Sequence, residues 1–236
     1  MVDPVAFAAN VDAVTECYTE ALRRWEKGIH TVCTDEKTGI QARERAAPTQ
    51  PMCAGQVERQ EYDYIRHGTL GLIANWAVAT GTIIAPTVHP TRTEADFAAH
   101  ITRLLDTDAD ADWIIICDNL NTHQSESLVR LVATRLDIAD DVGVKGERGI
   151  LHSMATRATF LTDPTHRIRF VYTPKHASWL NQIELWFGIL VRRVLKRGCF
   201  TSCDDLRQKL LAFIDYFNRV LSRPFRWTYT GRPLAA

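Results

Sequence analysis

The most constraining feature of this sequence is a short apolar run, Trp113–Cys117, that ends at Asp118. The run is rich in isoleucine and has no alternating polar positions, which is typical of a central strand covered on both faces. Such a strand needs helices above and below it, so it favours an α/β fold. Ligands and catalytic groups in open α/β sheets gather at the carboxyl ends of the strands. Asp118 therefore stands where a functional acid is expected, although an acid there can also simply cap a turn.

A second acid, Asp35, ends the β-branched run His30–Thr34 in the same way. The residues that follow, Lys37–Gly39, predict a turn, and a second strand is predicted after it as far as residue 45. Taken singly, Asp35 has the same two explanations as the first acid: a functional group at a strand end, or the cap of a turn.

A third acid, Glu184, lies on an amphipathic helix that is predicted from Ser178 to Arg197. Ser178 is the predicted N-cap, and Gly198 is the predicted stop. Glu184 lies at the edge of the apolar face, where a half-buried carboxylate needs a partner: either a distant arginine or a bound cation. The apolar face repeats at helical spacing and consists of Leu180, Ile183, Phe187, Leu190 and Val194.

These three acids together predict a metal site more strongly than any one of them alone. Hard divalent cations such as Mg²⁺ are held by a few carboxylates together with phosphate oxygens of the substrate. A pair of such ions can stabilise both the attacking and the leaving oxygen of a phosphoryl displacement. The acids therefore indicate metal-assisted phosphoryl transfer as the candidate chemistry.

Three segments carry a resemblance to a known family: residues 34–42 (TDEKTGIQA), 118–123 (DNLNTH) and 178–184 (SWLNQIE). They occur in the order that the family has, each on the expected element, and the similarity extends from about residue 30 to Trp227. The chain resembles the catalytic domain of a DDE transposase of the mariner superfamily, in its bacterial branch, the insertion sequence 630 family.

The resemblance implies that Asp35, Asp118 and Glu184 are the catalytic acids and hold two Mg²⁺ ions, for which Mn²⁺ substitutes. It implies cleavage of DNA at transposon ends, followed by transfer of the freed 3′-hydroxyl into target DNA. DNA is then the partner, a homodimer is expected in the DNA complex, and the bacterial cytoplasm is the expected location. Two other functions stay open: a ribonuclease-H-type host nuclease, and an inactive or domesticated DNA-binding or assembly module.

The resemblance also predicts a ribonuclease-H-like fold, which agrees with the order of elements in the sequence. Periodicity predicts β-β-β-α-β-α-β-α, a mixed five-stranded sheet with helices on both faces. Residues 1–29 are predicted to form a helical connector and residues 30–236 the catalytic domain, with no helix-turn-helix domain before them. An insert at about 137–166 reads as a loop and a short helix. It is either an arm that contacts DNA or a second subunit, or only a longer connection.

Further residues around the acids are candidates for DNA contact. The asparagine and the histidine that follow Asp118 either position a phosphate or cap the next helix. The tryptophan before Glu184 either stacks on DNA or packs in the core, and the basic residues either contact phosphate or are simply solvated. The candidates are Asn119, His123, Lys175, His176, Trp179, Asn181, Arg192, Arg193, Lys196 and Arg197.

Charge and composition support this interpretation only in part. The net charge is zero, but from Thr165 to the end there are 13 Lys and Arg against four Asp and Glu. A basic C-terminal third is typical of a surface for a polyanion, although it also fits an ordinary solvated helix face. The six cysteines contain no CxxC pair, so we expect a reducing compartment, no disulfides and no zinc site. No apolar run approaches 18 residues, and no membrane span or signal peptide is expected.

Overall fold

The computed structural model describes residues 4–138, 141–175 and 177–229. Its centre is a single mixed sheet of five strands. The strands are β1 (Ile29–Arg45), β2 (Tyr64–Ala77), β3 (Thr82–His89), β4 (Asp112–Cys117) and β5 (Ile168–Tyr172). Their order across the sheet is β3-β2-β1-β4-β5. The long strand β1 is therefore central, antiparallel to β2 on one side and parallel to β4 on the other.

Strand β1 is continuous through Lys37–Gly39, so the turn predicted there is wrong. The ladder with β2 continues across a bulge between Lys37 and Ile40, where β1 has one residue more than its partner. Gly39 lies in the bulge at φ +69°, a left-handed conformation that glycine adopts without steric cost. An extra residue of this kind bends a strand without ending it.

Helices cover both faces of this sheet, as predicted. On one face, Ile116 packs with Trp186 and Leu210, and on the other face Ile115 packs with Phe97 and Leu128. Neighbouring residues of one strand thus point into opposite cores, which explains the unbroken apolar run in β4. The helices are α1 (Pro4–Thr19), α2 (Ala21–Trp25), α3 (Glu94–Leu105), α4 (Glu126–Arg135), α5 (Met154–Leu161), α6 (Ile183–Leu190) and α7 (Cys203–Tyr216).

Two of the helices begin at residues whose side chains act as N-caps. Thr93 accepts a hydrogen bond from the Asp96 backbone and forms a capping box at the start of α3. Ser125 caps α4 through the backbone N–H of Leu128. No helix in the described part of the chain is both long enough and apolar enough to cross a membrane.

The N-terminal segment folds as α1 and α2, with a break at Glu20. Val14, Cys17 and Tyr18 are buried in the same core as Trp186. The predicted connector helix therefore packs against the sheet domain along its C-terminal half.

The insert after α4 contains the predicted short helix, α5, capped by Ser153. Leu151 and Leu161 are fully buried in the core on the α3 and α4 side. Arg157 is also buried, and its Nε donates to the carbonyl oxygen of Gln124 at 2.8 Å. The end of the insert is thus part of the packed domain, and contact of its remainder with DNA or a second subunit stays a prediction.

Candidate active site

Asp35 and Asp118 lie at the same level of the two central parallel strands. Cys33 of β1 is opposite Ile116 of β4 in the ladder, and each acid follows two residues later. Asp118 comes directly after the last residue of β4, while β1 continues past Asp35. The parallel pairing therefore brings both carboxylates together where β4 ends, on the side of the sheet to which the carboxyl ends of β4 and β5 point.

The carboxylate of Asp35 is mostly buried, and one oxygen accepts a hydrogen bond from the backbone N–H of Glu36 at 2.7 Å. The pKa of Asp35 is raised to about 7, mainly by burial; the negative charges of Asp118 and Glu184 add to the rise, and the hydrogen bond from Glu36 opposes it. A carboxylate in this position is stabilised in its charged form by a nearby cation. Asp118 and Glu184 are thus both close enough to Asp35 to affect its charge.

Asp118 is held by His123. The distance from His123 Nδ1 to Asp118 Oδ1 is 2.7 Å, and the Leu120 backbone N–H donates to the same oxygen at 3.0 Å. Burial raises the pKa of Asp118, but the hydrogen bond and the charge of His123, together with the hydrogen bond from Leu120, outweigh burial and leave the pKa below its usual value. Burial lowers the pKa of His123, but the hydrogen bonds with Asp118 and Cys117 raise it well above the usual value. The two groups therefore form an ion pair.

His123 is fully buried, so the predicted contact of its side chain with DNA is wrong for this conformation. Its ring packs on Phe97 with the centroids 4.2 Å apart. It does not cap the next helix either, because Ser125 does so. His123 acts instead as the residue that orients Asp118.

Glu184 is exposed in the first turn of α6, and that helix begins five residues later than predicted. Residues Ser178–Leu180 form a separate 3₁₀ turn, and Asn181 then has an extended backbone with ψ 112°. Ser178 is therefore not the helix N-cap. The helix also changes after Leu190 into a π-helical turn, Val191–Leu195.

The break before α6 is explained by the side chain of Asn181, which is fully buried. Its Nδ2 donates to the carbonyl oxygen of Thr34 at 3.0 Å and lies 3.5 Å from Asp35 Oδ2. The backbone carbonyl oxygen of Asn181 accepts from the backbone N–H of Glu184 at 3.1 Å. Asn181 thus joins the strand that carries one acid to the helix that carries another. The predicted DNA contact of Asn181 is wrong here, because no part of its side chain is exposed.

Asn119 and Lys175 have different surroundings. Both ends of the Asn119 amide are occupied within the protein, since Nδ2 donates to the carbonyl of Thr173 and Oδ1 accepts from Gln124. Asn119 therefore supports the segment after Asp118, and it does not cap the next helix. Lys175 is exposed and lines an open cleft of about 410 Å³ that Asp118 and Asn119 also line. His176, another predicted contact, lies outside the described residues.

Trp179 is 53% exposed, so its packing in the core is excluded as an alternative. Its ring makes an edge-to-face contact with the ring of Tyr229, with the centroids 5.1 Å apart. The four basic residues beyond Glu184 are exposed as well. They begin eight residues after Glu184, which is about 12 Å along a helix. These residues are Arg192, Arg193, Lys196 and Arg197.

Sequence reasoning missed a buried polar network beneath Asp35. Thr34 Oγ1 donates to Asn75 Oδ1 at 2.6 Å, and His100 Nε2 lies 2.9 Å from the same oxygen. The other ring nitrogen of His100 meets the hydroxyl of Thr87 at 2.8 Å. Each residue comes from a different element, so no local pattern signals the network. It fixes the backbone of Thr34, next to the acid.

The donor set at this edge suits a hard divalent cation, because it consists of carboxylate oxygens. The raised pKa of Asp35 shows that its charged form is disfavoured here, and a bound cation would stabilise that form. Within residues 4–138, 141–175 and 177–229, no three His, Cys, Asp or Glu side chains are already placed to hold a metal ion. Asp35 and Asp118 are adjacent, whereas the exposed Glu184 has a flexible side chain that must turn inward to join them.

Comparison with known proteins agrees with this architecture. The family model described as "DDE superfamily endonuclease" matches residues 30–207. The structure titled "Crystal structure of the Mos1 mariner paired end complex with Mn" has a TM-score of 0.54 and 12% sequence identity, with 91% of this chain covered. The structure titled "Structure of Mos1 transposase catalytic domain and Raltegravir with Mn" has a TM-score of 0.49 and 11% identity, covering 88% of this chain and 82% of that chain.

The chain spans 56% of the length of the first of these proteins. No curated protein sequence matches it at a significant level. At this identity, the structural likeness establishes the fold alone, a mixed sheet of the ribonuclease-H-like kind, as predicted. The family match covers most of the chain, including both strands that carry an acid and the first turn of α6. The chain therefore belongs to the DDE superfamily endonuclease family.

Proposed function

We propose that this chain is the catalytic domain of a DNA transposase of the mariner type. In this proposal it cleaves DNA at transposon ends and transfers the freed 3′-hydroxyl into target DNA. The observation that carries the proposal is the parallel pairing of β1 and β4, which sets Asp35 beside Asp118. The family match to DDE endonucleases supports the assignment of these acids and Glu184 as its catalytic acids.

The proposed cofactor is a pair of Mg²⁺ ions, with Mn²⁺ as a substitute, held by Asp35, Asp118 and Glu184. Metal ions at such a site supply Lewis-acid stabilisation of the attacking and leaving oxygens of a phosphodiester. A similar solved structure, the Mos1 mariner paired end complex, is a complex with Mn, which supports the choice of a divalent cation. Its likeness to this chain concerns the fold, so the metal remains part of the proposal.

The residues of the chain have separate tasks in this proposal. His123 keeps Asp118 ionised and oriented, because its ion pair offsets the burial of that carboxylate. Asn181 holds the start of α6 against Thr34, so that the side chain of Glu184 can turn inward to the other two acids. Lys175, beside Asp118 in the open cleft, is placed to contact a DNA phosphate. Exposed Trp179 offers a face for stacking on a base.

The proposed partner is duplex DNA, in a complex that contains two copies of the chain. The paired-end complexes named among similar structures support this choice, as does the exposed basic stretch after Glu184. The bacterial cytoplasm, where chromosomal DNA is accessible, is the proposed place of action.

Cleavage of supercoiled plasmid DNA in Mn²⁺ tests the proposal. Wild-type protein is expected to nick the plasmid, and a chelator is expected to stop it. Asp35→Asn, Asp118→Asn and Glu184→Gln are each expected to reduce cleavage to background. Asp112→Asn is the matched control, since Asp112 is an exposed acid at the opposite end of β4. Activity retained in any of the three variants, or cleavage only of an RNA–DNA hybrid, would contradict the proposal.

A further inference from the structure

The hydroxyl of Tyr18, near the end of α1, is a junction of three chain segments. It donates to the carbonyl oxygen of Leu180 at 2.8 Å. It accepts from the backbone N–H of Gln182 at 3.4 Å and from the thiol of Cys33 at 3.4 Å. A phenol has one proton to donate and two lone pairs to accept with, so this hydroxyl uses its full capacity.

The partners of Tyr18 are the residues that lead to two of the acids. Cys33 lies two positions before Asp35, and alternate residues of a strand share one face. Gln182 lies two positions before Glu184, just ahead of α6. The hydroxyl oxygen of Tyr18 thus contacts, from within the core, both the strand that carries Asp35 and the turn that leads to Glu184.

The position of this hydroxyl is fixed by its surroundings. The Tyr18 side chain is buried, and its ring packs on Trp227 with the centroids 4.7 Å apart. On the same helix, Val11 packs with Ala177 and Leu180, so α1 contacts residues 177–182 at more than one point. Burial raises the pKa of Tyr18 well above its usual value, so the hydroxyl keeps its proton and remains a donor at ordinary pH.

We propose that Tyr18 is a positioning residue that sets the placement of Glu184 relative to Asp35, by joining the turn at Leu180–Gln182 to Cys33. The inference rests on the proposed function, in which both acids act on a bound metal. Tyr18 contacts neither acid directly, so it acts through the backbone of the two segments. It complements Asn181, which joins the same turn to β1 from the side of the acids.

Replacing Tyr18 by phenylalanine tests the inference, because Tyr18→Phe keeps the ring and removes only the junction. In Mn²⁺-dependent plasmid cleavage, kcat is expected to fall about 10- to 100-fold. A loss of this size is expected when a reacting group is misplaced by up to about 1 Å. The KM for DNA is expected to stay unchanged, since Tyr18 is buried away from solvent. More Mn²⁺ is expected to be needed for half-maximal activity. Cys33→Ala, which removes one donor only, is expected to have a smaller effect in the same direction.

Tyr216→Phe is the matched control, because Tyr216 is 44% exposed on α7 and belongs to no part of the proposed site. It is expected to cleave as the wild type does. A wild-type kcat in Tyr18→Phe, or an equal loss in both variants, would overturn the inference and leave the proposed function standing.

Hydrogen exchange separates failure of this inference from failure of the proposed function. In Tyr18→Phe, amides of residues 180–187 are expected to exchange faster, while those of β5 and α4 keep the wild-type rate. If the wild-type protein fails to cleave DNA at all, the proposed function is wrong, and exchange alone then decides on the junction. Unchanged exchange of residues 180–187 in Tyr18→Phe overturns the inference in either case.

Discussion

The imidazole of His123 lies buried against the carboxylate of Asp118, with Nδ1 2.7 Å from Oδ1. The same imidazole ring packs on the ring of Phe97 of α3. The side chain of His123 thus connects Asp118, directly after β4, to helix α3. This contact explains how a half-buried carboxylate remains ionised before any cation binds, because the imidazolium compensates its charge.

The first prediction concerns the contribution of His123 to stability. His123→Ala removes both the ion pair and the packing on Phe97, so it is expected to lower the free energy of unfolding by about 2–4 kcal/mol. Urea unfolding monitored by circular dichroism measures the change. The control, His152→Ala, replaces an exposed histidine and is expected to change stability by less than about 0.5 kcal/mol. Equal stability of the two variants would mean that the buried pair is not what holds this region.

Asn181→Ala is expected to reduce both stability and cleavage. It leaves the buried carbonyl of Thr34 without the Asn181 donor, which costs roughly 1–3 kcal/mol. It also frees the start of α6, so plasmid cleavage is expected to fall more than the loss of folded protein explains. Asn10→Ala, at an exposed position of α1, is the control for both measurements. Normal cleavage by folded Asn181→Ala would remove this residue from the account.

The contribution of His100 to the stability of the protein is expected to decrease as the pH falls. Burial lowers the pKa of His100 from 6.5 to about 3, so the folded state keeps it neutral while the unfolded chain takes up a proton below pH 6.5. Its contribution is therefore complete above pH 6.5 and is lost as pH falls towards 3, amounting to roughly 2 kcal/mol of loss at about pH 5. The difference in unfolding free energy between pH 7 and pH 5 is expected to be smaller in His100→Gln. An identical difference in the two proteins would contradict this assignment.

Gly81 tests the packing of the C-terminal segment against the turn between β2 and β3. Its φ is +70°, and a Cβ atom there would lie 2.1 Å from the backbone carbon of Arg223. Gly81→Ala is therefore expected to shift the C-terminal segment and to cost several kcal/mol, well above the roughly 1–2 kcal/mol of the left-handed conformation alone. Gly28→Ala is the control, since Gly28 has φ +77° with nothing within 4 Å. Thermal unfolding of both variants gives the comparison, and equal losses would exclude the close contact.

Local signals in the sequence predicted the parts of the fold that local interactions determine. The helix starts at Thr93 and Ser125 depend on local interactions, because an N-cap needs only a side chain and a backbone N–H two or three residues away. The apolar run before Asp118 became the covered strand β4 for a similar reason, since burial on both faces leaves no room for polar residues.

The errors arose where a distant partner decides the local conformation. Lys37–Gly39 has the composition of a turn, but β2 is long enough to pair across it and converts it into a bulge. Ser178 is a residue type that favours the N-cap position, but the hydrogen bond from Asn181 to Thr34 interrupts the helix, which begins only at Ile183. The contacts of Tyr18 and His100 likewise join residues far apart in sequence, so no pattern within one segment indicates them.

Binding of Mn²⁺ measured by thermal unfolding tests whether Asp35 in β1 and Asp118 directly after β4 hold a divalent cation. A ligand at about 100-fold excess over its Kd stabilises the folded state by roughly 2.7 kcal/mol. For a chain of this size, that corresponds to a rise in Tm of roughly 5–10 °C. This rise is expected in the wild type and in Asp112→Asn, and it is expected to be lost in Asp118→Asn. The absence of a rise in the wild type, or an equal rise in all three proteins, would contradict cation binding by these two acids.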